Sequence, residues 1–422
     1  MSMNKIIVLP GTADAVFFLN EVDYITKYFD EVIVISYPGN KHTFSKIAEQ
    51  KGFKYYVVNT NILGSLLNVH FYKWLFSKDT IKEIRKTFAF TKKDFSRSLY
   101  IFYYGIFYIS SKKYIDREIE KNAGENLYLY SFWLTRGAYT VANYNINRKG
   151  NVKKLISRAH GYDLYEERNT TNYLPFRSFI DKNLDEIHPI SEHGLNYYKN
   201  KYKKSNSGTK KTISRLGTYN PNSLKKTIFN KEKICIASCS SITDVKRLDL
   251  IIDVIANIEI PVKWIHIGNG KQKSQMELYA KEKLKDKDYY FLGQIDNSDI
   301  LKTYIKYDVD FFINMSDSEG VPVSIMEAMS AGIPVMARDV GGLSEIINEK
   351  NGYLIRNNIE FEQVYSGVNS FIKQRINKIE SYIDKSNESI KFWNERYNSN
   401  KNFNLFFKNM LQEFNGNNIE VK

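Results

Sequence analysis

Residues Asp310–Arg338 read DFFINMSDSEGVPVSIMEAMSAGIPVMAR. The apolar opening predicts a strand that ends near Ser316, followed by a polar loop over Asp317–Gly320. Pro322 suits a first helical turn, where its missing N–H would have had no partner anyway. Ser324–Ala331 then predicts a short helix, Gly332 stops it, and Pro334 begins the return to a strand over Val335–Arg338. A strand, a tight turn, a helix and a second strand make the repeating unit of a parallel sheet. The unit puts Glu319 in the loop at the helix start and Glu327 inside the helix. Beside Gly320, the N–H groups of Val321, Val323 and Ser324 are expected to be unpaired. With the positive end of the helix dipole they favour an anion such as a diphosphate. A carboxylate pair pointing inward would repel phosphate, so Glu319 and Glu327 are better used as acceptors from ribose and hexose hydroxyls. Either Glu alone could be a capping charge. Both together, with Gly-x-Pro between and Ala-Met-x-Ala-Gly-x-Pro after, argue against that role.

Working outward, the same alternation fills the second half of the chain. Strands are expected at Ile234–Ser238, Val262–Ile267, Tyr289–Leu292, Val309–Met315 and Val335–Arg338, with helices at Leu248–Ala256 and Gln272–Leu284. The first half predicts strands at Ile6–Leu9, Glu31–Ser36, Tyr55–Val58, Leu127–Tyr130 and Leu155–Ser157. The 422 residues suit two domains. The expected fold class is therefore α/β, with two doubly wound Rossmann-like domains facing across a cleft. The turn-rich Thr218–Ser223 sets the boundary, giving an N-terminal domain 1–217 and a C-terminal domain 218–385. Residues 386–422 are expected to form a helical segment crossing back to the N-terminal domain. In open sheets of this kind ligands sit at the carboxyl ends of the strands.

The run from Ser318-Glu319-Gly320 through Glu327-Ala328-Met329 to Gly332-Ile333-Pro334 resembles the signature of glycosyltransferase family 4. These are retaining enzymes of the two-domain GT-B fold that need no metal, and the motif is two glutamates separated by seven residues. The resemblance implies that Glu327 grips the donor ribose and that Glu319 sits by the donor sugar near its anomeric carbon. Ser238–Asp253 resembles the family loop whose Lys binds the donor diphosphate, here Lys246. Many members carry an Arg five residues earlier; this chain has Ser241 there, and Arg247 is the candidate substitute. Gly268-Asn269-Gly270 resembles the family's glycine loop. Leu292–Ile295 resembles its base-binding turn, with backbone atoms of Ile295 on the nucleobase. In the first half, His160 follows an apolar strand in Arg158-Ala159-His160-Gly161-Tyr162-Asp163, where the family places a residue beside the donor sugar and acceptor. Asp163 and Arg168 are weaker acceptor-side candidates, and His188 and His193 read as structural. Asp308-Val309-Asp310 has the spacing of a metal-binding Asp-x-Asp, but it enters a strand instead of leaving one, so no metal is expected.

The function these readings imply is transfer of a hexosyl group, with retention, from a nucleoside diphosphate sugar to a glycan or lipid-linked glycan. UDP is favoured on family frequency, with GDP next; the nucleotide-sugar is a substrate and no cofactor is expected. The alternatives are a non-hydrolysing sugar-nucleotide epimerase of the same fold, or a basic nucleic-acid-binding protein. No motif of the latter kind is found. Residues 1–217 hold 34 Lys and Arg against 20 Asp and Glu, and the remainder 27 against 27, so the whole net charge of +14 lies in the first half. Within Asn61–Lys121 basic residues interleave with aromatic ones, as in Phe71-Tyr72-Lys73-Trp74-Leu75-Phe76. Leu99–Ile109 could be an interfacial segment or a core helix. An anionic membrane surface is the expected further partner, with Lys92, Lys93, Lys112 and Lys113 on it. The uncharged run Ser98–Ser111 is 14 residues, short of the roughly 20 a spanning helix needs. No secretory signal is read at the start, so a cytoplasmic protein, peripheral on the inner face of the cell membrane, is expected. Cys235 and Cys239 share one strand, too far apart for a disulfide, and are expected as reduced thiols.

Overall fold

The computed structural model describes residues 2–11, 15–37, 41–58, 64–65, 67–87, 92–203, 207–220, 233–357 and 360–412. The turn residues 221–223 and the side chains of Lys92 and Lys93 named above lie outside them. The chain forms two compact units, one of residues up to Ser214 joined by those from Phe403, the other Arg215–Asn402. Residues 386–422, expected as one segment, are thus divided, with Asn402 and the residues before it in the second unit.

The first unit is built on seven parallel strands: β1 (Asn4–Leu9), β2 (Glu31–Ser36), β3 (Lys54–Val57), β4 (Asn126–Ser131), β5 (Val152–Ala159), β6 (Glu186–Pro189) and β7 (Lys210–Lys211). Their order is β3-β2-β1-β4-β5-β6-β7. The polar composition of β6 hides it from a hydrophobic pattern, because its charges pair inside the fold. Glu186 Oε2 meets His188 Nε2 at 2.9 Å and Lys154 lies 3.3 Å from Glu186 Oε1. Burial works to raise the Glu186 carboxyl, but His188 and Lys154 outweigh it and hold it near about 2. The thirty-residue helix Lys92–Lys121 lies in this unit. Ile101, Tyr104, Ile106, Phe107 and Ile109 are buried in the core, as are Phe71 and Trp74. Most of Leu99–Ile109 is thus a core helix. Phe403 and Phe406 pack on the helix Ala15–Tyr28 and on β4: Phe406 lies 5.5 Å from Tyr130 and Phe403 5.2 Å from Tyr24, centroid to centroid.

The second unit has six parallel strands: β8 (Ile234–Cys239), β9 (Val262–Ile267), β10 (Asp288–Gly293), β11 (Phe311–Asn314), β12 (Val335–Arg338) and β13 (Gly352–Ile355), ordered β10-β9-β8-β11-β12-β13. Alternate side chains leave a strand on opposite faces. Ile234, Ile236, Phe311 and Ile313 enter one core, whereas Cys235, Ala237 and Phe312 enter another. Both faces are covered by helices, which is why these strands read as continuous apolar runs. Both cysteines are free thiols.

Candidate active site

Five loops meet at the carboxyl edge of the second sheet. The β8 loop is held against the β9 loop by Ile242 N–H donating to Asn269 O at 3.0 Å. The β9 loop is held against the end of β10 by Gly268 N–H donating to Gly293 O at 2.8 Å. Gly268 has φ +139°, and a Cβ there would meet Ser240 O at 1.9 Å; one on Gly270 would meet Ile242 O at 2.2 Å. The glycines let two backbones touch, which is the physical need for them. Ile295, two residues beyond Gly293, is half-buried in the following turn. The loop after β12 reaches the loop after β11, since a Cβ on Gly342 would lie 2.9 Å from Gly320 O.

The helix of the quoted stretch runs Val323–Ser330, with Pro322 as its N-cap at φ −68° and ψ 126° and no side-chain cap. Its first-turn N–H groups, at Val323 and Ser324, precede the first closing bond, from Met326 N–H to Pro322 O at 3.3 Å. Val321, Val323 and Ser324 are half-buried. An uncapped helix start of this kind attracts an anion. Lys246 stands beside it, at the end of the turn Asp244–Lys246, and its Nζ lies 2.7 Å from Glu319 Oε1. Asn314 Nδ2 donates to the same oxygen at 3.2 Å, and its own Oδ1 accepts from Ser316 N–H at 3.0 Å. Asn314 therefore orients Glu319, a role with no signal in the sequence.

Glu327 is of another character. It is buried beside Cys239 and Tyr304, and among the described residues no hydrogen bond or ion pair reaches its carboxylate. Burial pushes the carboxyl up to about 8, and burial together with Glu327 pushes the Cys239 thiol up to about 12. A buried polar group left unpaired in this way is costly unless something donates to it.

Arg247 is paired with carboxylates. Its backbone is left-handed, φ +47°, and its guanidinium is spent on Asp249, 2.9 Å from Oδ2, and on Asp317 at 3.4 Å. Arg338, at the end of β12, pairs with the same Asp317 oxygen as Arg247. Arg247, half-buried, stands next to Lys246 in the chain. His266, which the sequence reading passed over, is fully buried with Nδ1 2.9 Å from Ser238 Oγ, and burial lowers it to about 4. Asp310 sits at the opposite edge of the sheet, where its carboxylate accepts from Cys235 N–H at 2.8 Å and pairs with Arg375 at 3.1 Å. Among the described residues no three His, Cys, Asp or Glu are grouped to hold a metal ion.

In the first unit His160 follows β5 and is nearly buried. Its ring stacks on Phe132 at 4.8 Å and lies 4.2 Å from Trp133. Asp163, expected on the acceptor side, is fully buried instead: Oδ1 accepts from His160 N–H and Oδ2 from Leu134 N–H, each at 2.8 Å. Its Oδ2 also lies 3.4 Å from His160 Nδ1, so Asp163 holds the histidine ring, and among the described residues the buried Nε2 has no hydrogen-bond partner. Arg168 lies over the Tyr165 ring at 4.2 Å, and His193 Nδ1 is 2.6 Å from Tyr165 OH. Upstream, the buried Arg158 pairs with Glu21 at 2.8 Å over the Phe406 ring.

Residues 220–389 match the family model described as Glycosyl transferases group 1. This stretch holds every strand of the second sheet. The chain is 36% identical over 116 residues to the O-antigen biosynthesis glycosyltransferase WbnH of Escherichia coli, covering 28% of this chain and 31% of that protein. It thus spans about a third of the length of that curated relative. Over nearly the whole chain it is similar to HepE of Anabaena in complex with UDP and glucose, with TM-score 0.63, 14% identity, and 97% and 99% of the two chains covered. The lipopolysaccharide outer core galactosyltransferase WaaB superposes with TM-score 0.65 at 14% identity, covering 96% and 100%. The fold is the two-domain α/β GT-B fold.

Proposed function

We propose that the chain is a retaining glycosyltransferase moving a hexosyl group from a nucleoside diphosphate sugar, UDP favoured and GDP next, to a glycan or lipid-linked glycan. The observation that carries this reading is the pairing of a buried, unpartnered Glu327 with the Lys246–Glu319 contact at an uncapped helix start. The match to Glycosyl transferases group 1 and the O-antigen relative support it. HepE, whose complex holds UDP and glucose, favours UDP.

Each part has a chemical task. The two ribose hydroxyls donate to Glu327, which supplies the partner its buried carboxylate lacks. The diphosphate takes the helix N–H groups and Lys246, which stabilise the charge that builds on the leaving group. When Lys246 turns to the diphosphate, Glu319 is released toward the sugar while Asn314 keeps its orientation. In retention, the departing phosphate oxygen accepts the acceptor proton on the same face, so no side-chain base is assigned. His160 offers Nε2 to the sugar, and Asp163 positions it. Charge neutralisation comes from these groups without a divalent metal. The partner beyond the substrates is an anionic membrane surface on the cytoplasmic side.

The test is a panel of UDP- and GDP-sugars with bacterial glycan acceptors, the product's anomeric configuration being read by NMR. A product of retained configuration supports the reading. An inverted product refutes retention, and an isomerised donor with no acceptor product means an epimerase.

A further inference from the structure

Three loops meet at the carboxyl edge of the first sheet. Gly11 follows β1, Phe132 and Trp133 follow β4, and His160 and Tyr162 follow β5. Trp133 touches both of the other loops. Its ring lies 4.2 Å from His160 and 4.8 Å from Tyr162, and a Cβ on Gly11, φ +86°, would stand 3.1 Å from its Cδ1. Trp133 is 7% exposed and Tyr162 43%. The indole is thus a buried backing, and the phenol ring in front of it is open.

Polar contacts lock this pair in place. Ser131 Oγ donates to Trp133 O at 2.6 Å. Asp163 accepts from both Leu134 N–H and His160 N–H, which ties the β4 loop to the β5 loop. Asn169 Nδ2 donates to Tyr162 O at 2.8 Å and to Tyr165 O at 3.1 Å, so the Tyr162 backbone is held as well. A single exposed tyrosine is ordinary. This one stands at the edge of a parallel sheet where ligands bind. It also shares its backing with His160, whose buried Nε2 has no hydrogen-bond partner among the described residues. A flat apolar ring next to one convergent polar atom is the lining of a small-molecule site. A pyranose matches it, with C–H groups on a face and hydroxyls at the rim. A polyol phosphate has no flat apolar face to set on the ring.

We propose that Tyr162, backed by Trp133, is the platform on which a pyranose ring of the acceptor stacks. His160 Nε2 takes a hydroxyl of one reacting sugar, and Tyr162 supplies the ring face for the other. The unit that receives the transferred sugar is therefore itself a sugar ring and not a lipid phosphate or a polyol phosphate. Tyr162 sets specificity for the acceptor, and Asp163 positions it through the two loops. The inference rests on the glycosyltransferase reading above and deepens its acceptor side.

The experiment is saturation-transfer NMR on the full chain with UDP at saturation. The probes are the methyl pyranosides of glucose, galactose and N-acetylglucosamine, with glycerol 3-phosphate as the acyclic comparison. Saturating the protein's aromatic resonances is expected to reach ring C–H protons of at least one pyranoside and none of glycerol phosphate. Tyr162→Ser, a change at an exposed position, is expected to weaken that pyranoside about tenfold. Tyr162→Phe is expected to keep the contact, because the ring face binds and not its hydroxyl. Tyr290→Ser, at a tyrosine 48% exposed in β10, is the control and is expected to match the wild type. Equal losses in Tyr162→Ser and Tyr290→Ser, or in Tyr162→Ser and Tyr162→Phe, would overturn the platform. So would transfer to glycerol phosphate with none to any pyranoside. A pyranoside signal present with UDP and lost with UDP-glucose would put the donor hexose on the ring and overturn the acceptor assignment. UDP affinity is measured on the same samples: where it persists, these failures leave the donor reading standing. Pyranoside contact in a folded chain that binds no UDP would sink the donor reading and not the platform.

Discussion

Glu327→Gln separates what the buried carboxylate does for the ligand from what it does to the fold. The wild-type carboxyl is pushed from 4.5 to about 8 by burial. An unfolded chain therefore ionises it at a pH where the folded chain does not. With the folded value raised, the folded state binds the extra proton between 4.5 and 8, so stability falls as pH rises through that window and levels off above it. At about 1.4 kcal/mol per tenfold change, the loss relative to a neutral isostere is roughly 3 kcal/mol at pH 7 and nearer 5 above pH 8. Glu327→Gln should accordingly match the wild type near pH 4.5 and be more stable at pH 7, with the gap still widening to pH 8. For the ligand the order reverses. Ribose hydroxyls donate to the ionised form, so UDP binding releases a proton and wild-type affinity should rise about tenfold from pH 7 to above 8. The variant should bind UDP more weakly by roughly 1.5–3 kcal/mol at the high end and show no such rise. Urea melts across pH and calorimetric UDP titrations in two buffers of different ionisation heat read both quantities. A variant less stable than wild type at pH 8, or a wild type whose UDP binding takes up no proton difference, would refute the reasoning.

The other expectations concern the groups around it. Lys246→Ala should weaken UDP about tenfold or more while leaving uridine unaffected, because its partner is the diphosphate; equal losses for both would remove that role. Glu319→Ala and Asn314→Ala should lower turnover more than UDP affinity, the second by less, as read from kcat against the dissociation constant. Gly268→Ala should lower the melting temperature, since its Cβ would stand 1.9 Å from Ser240 O in a left-handed backbone, a strain of at least 1–3 kcal/mol. Turnover should survive excess EDTA; loss restored by magnesium or manganese would reopen the Asp308 and Asp310 reading.

How much of this was legible depended on where each side chain finds its partner. β8, β9, β11 and β12 were readable because strands buried on both faces carry unbroken apolar runs, and the short helix because proline and glycine bracket it. β6 was not, since Glu186 and His188 hide their charges in each other and in Lys154. Arg247 read as a phosphate ligand because it adjoins Lys246. Of its partners, Asp249 is two residues on, but Asp317, which Arg338 also pairs with, is distant in the sequence and is brought to it by the sheet. Asp163 read as an acceptor contact for the same reason, although its oxygens bind the backbone N–H groups of His160 and Leu134. In Leu99–Ile109, Leu99 and Tyr103 face outward while Ile101, Tyr104 and Phe107 face the core. Composition gave both readings, and only helical phase separates them.

The claim most open to direct test is that the carboxyl edge of the second sheet binds a nucleoside diphosphate through Lys246, the Val323–Ser330 helix start and Glu327. Calorimetric titration of UDP, then GDP, into the full chain at pH 8 measures this. The account predicts saturable binding of one nucleotide per chain, released protons, and competition by the corresponding nucleotide-sugar. Failure of both nucleotides to bind the folded chain, or binding that Lys246→Ala and Glu327→Gln together leave unchanged, would contradict it.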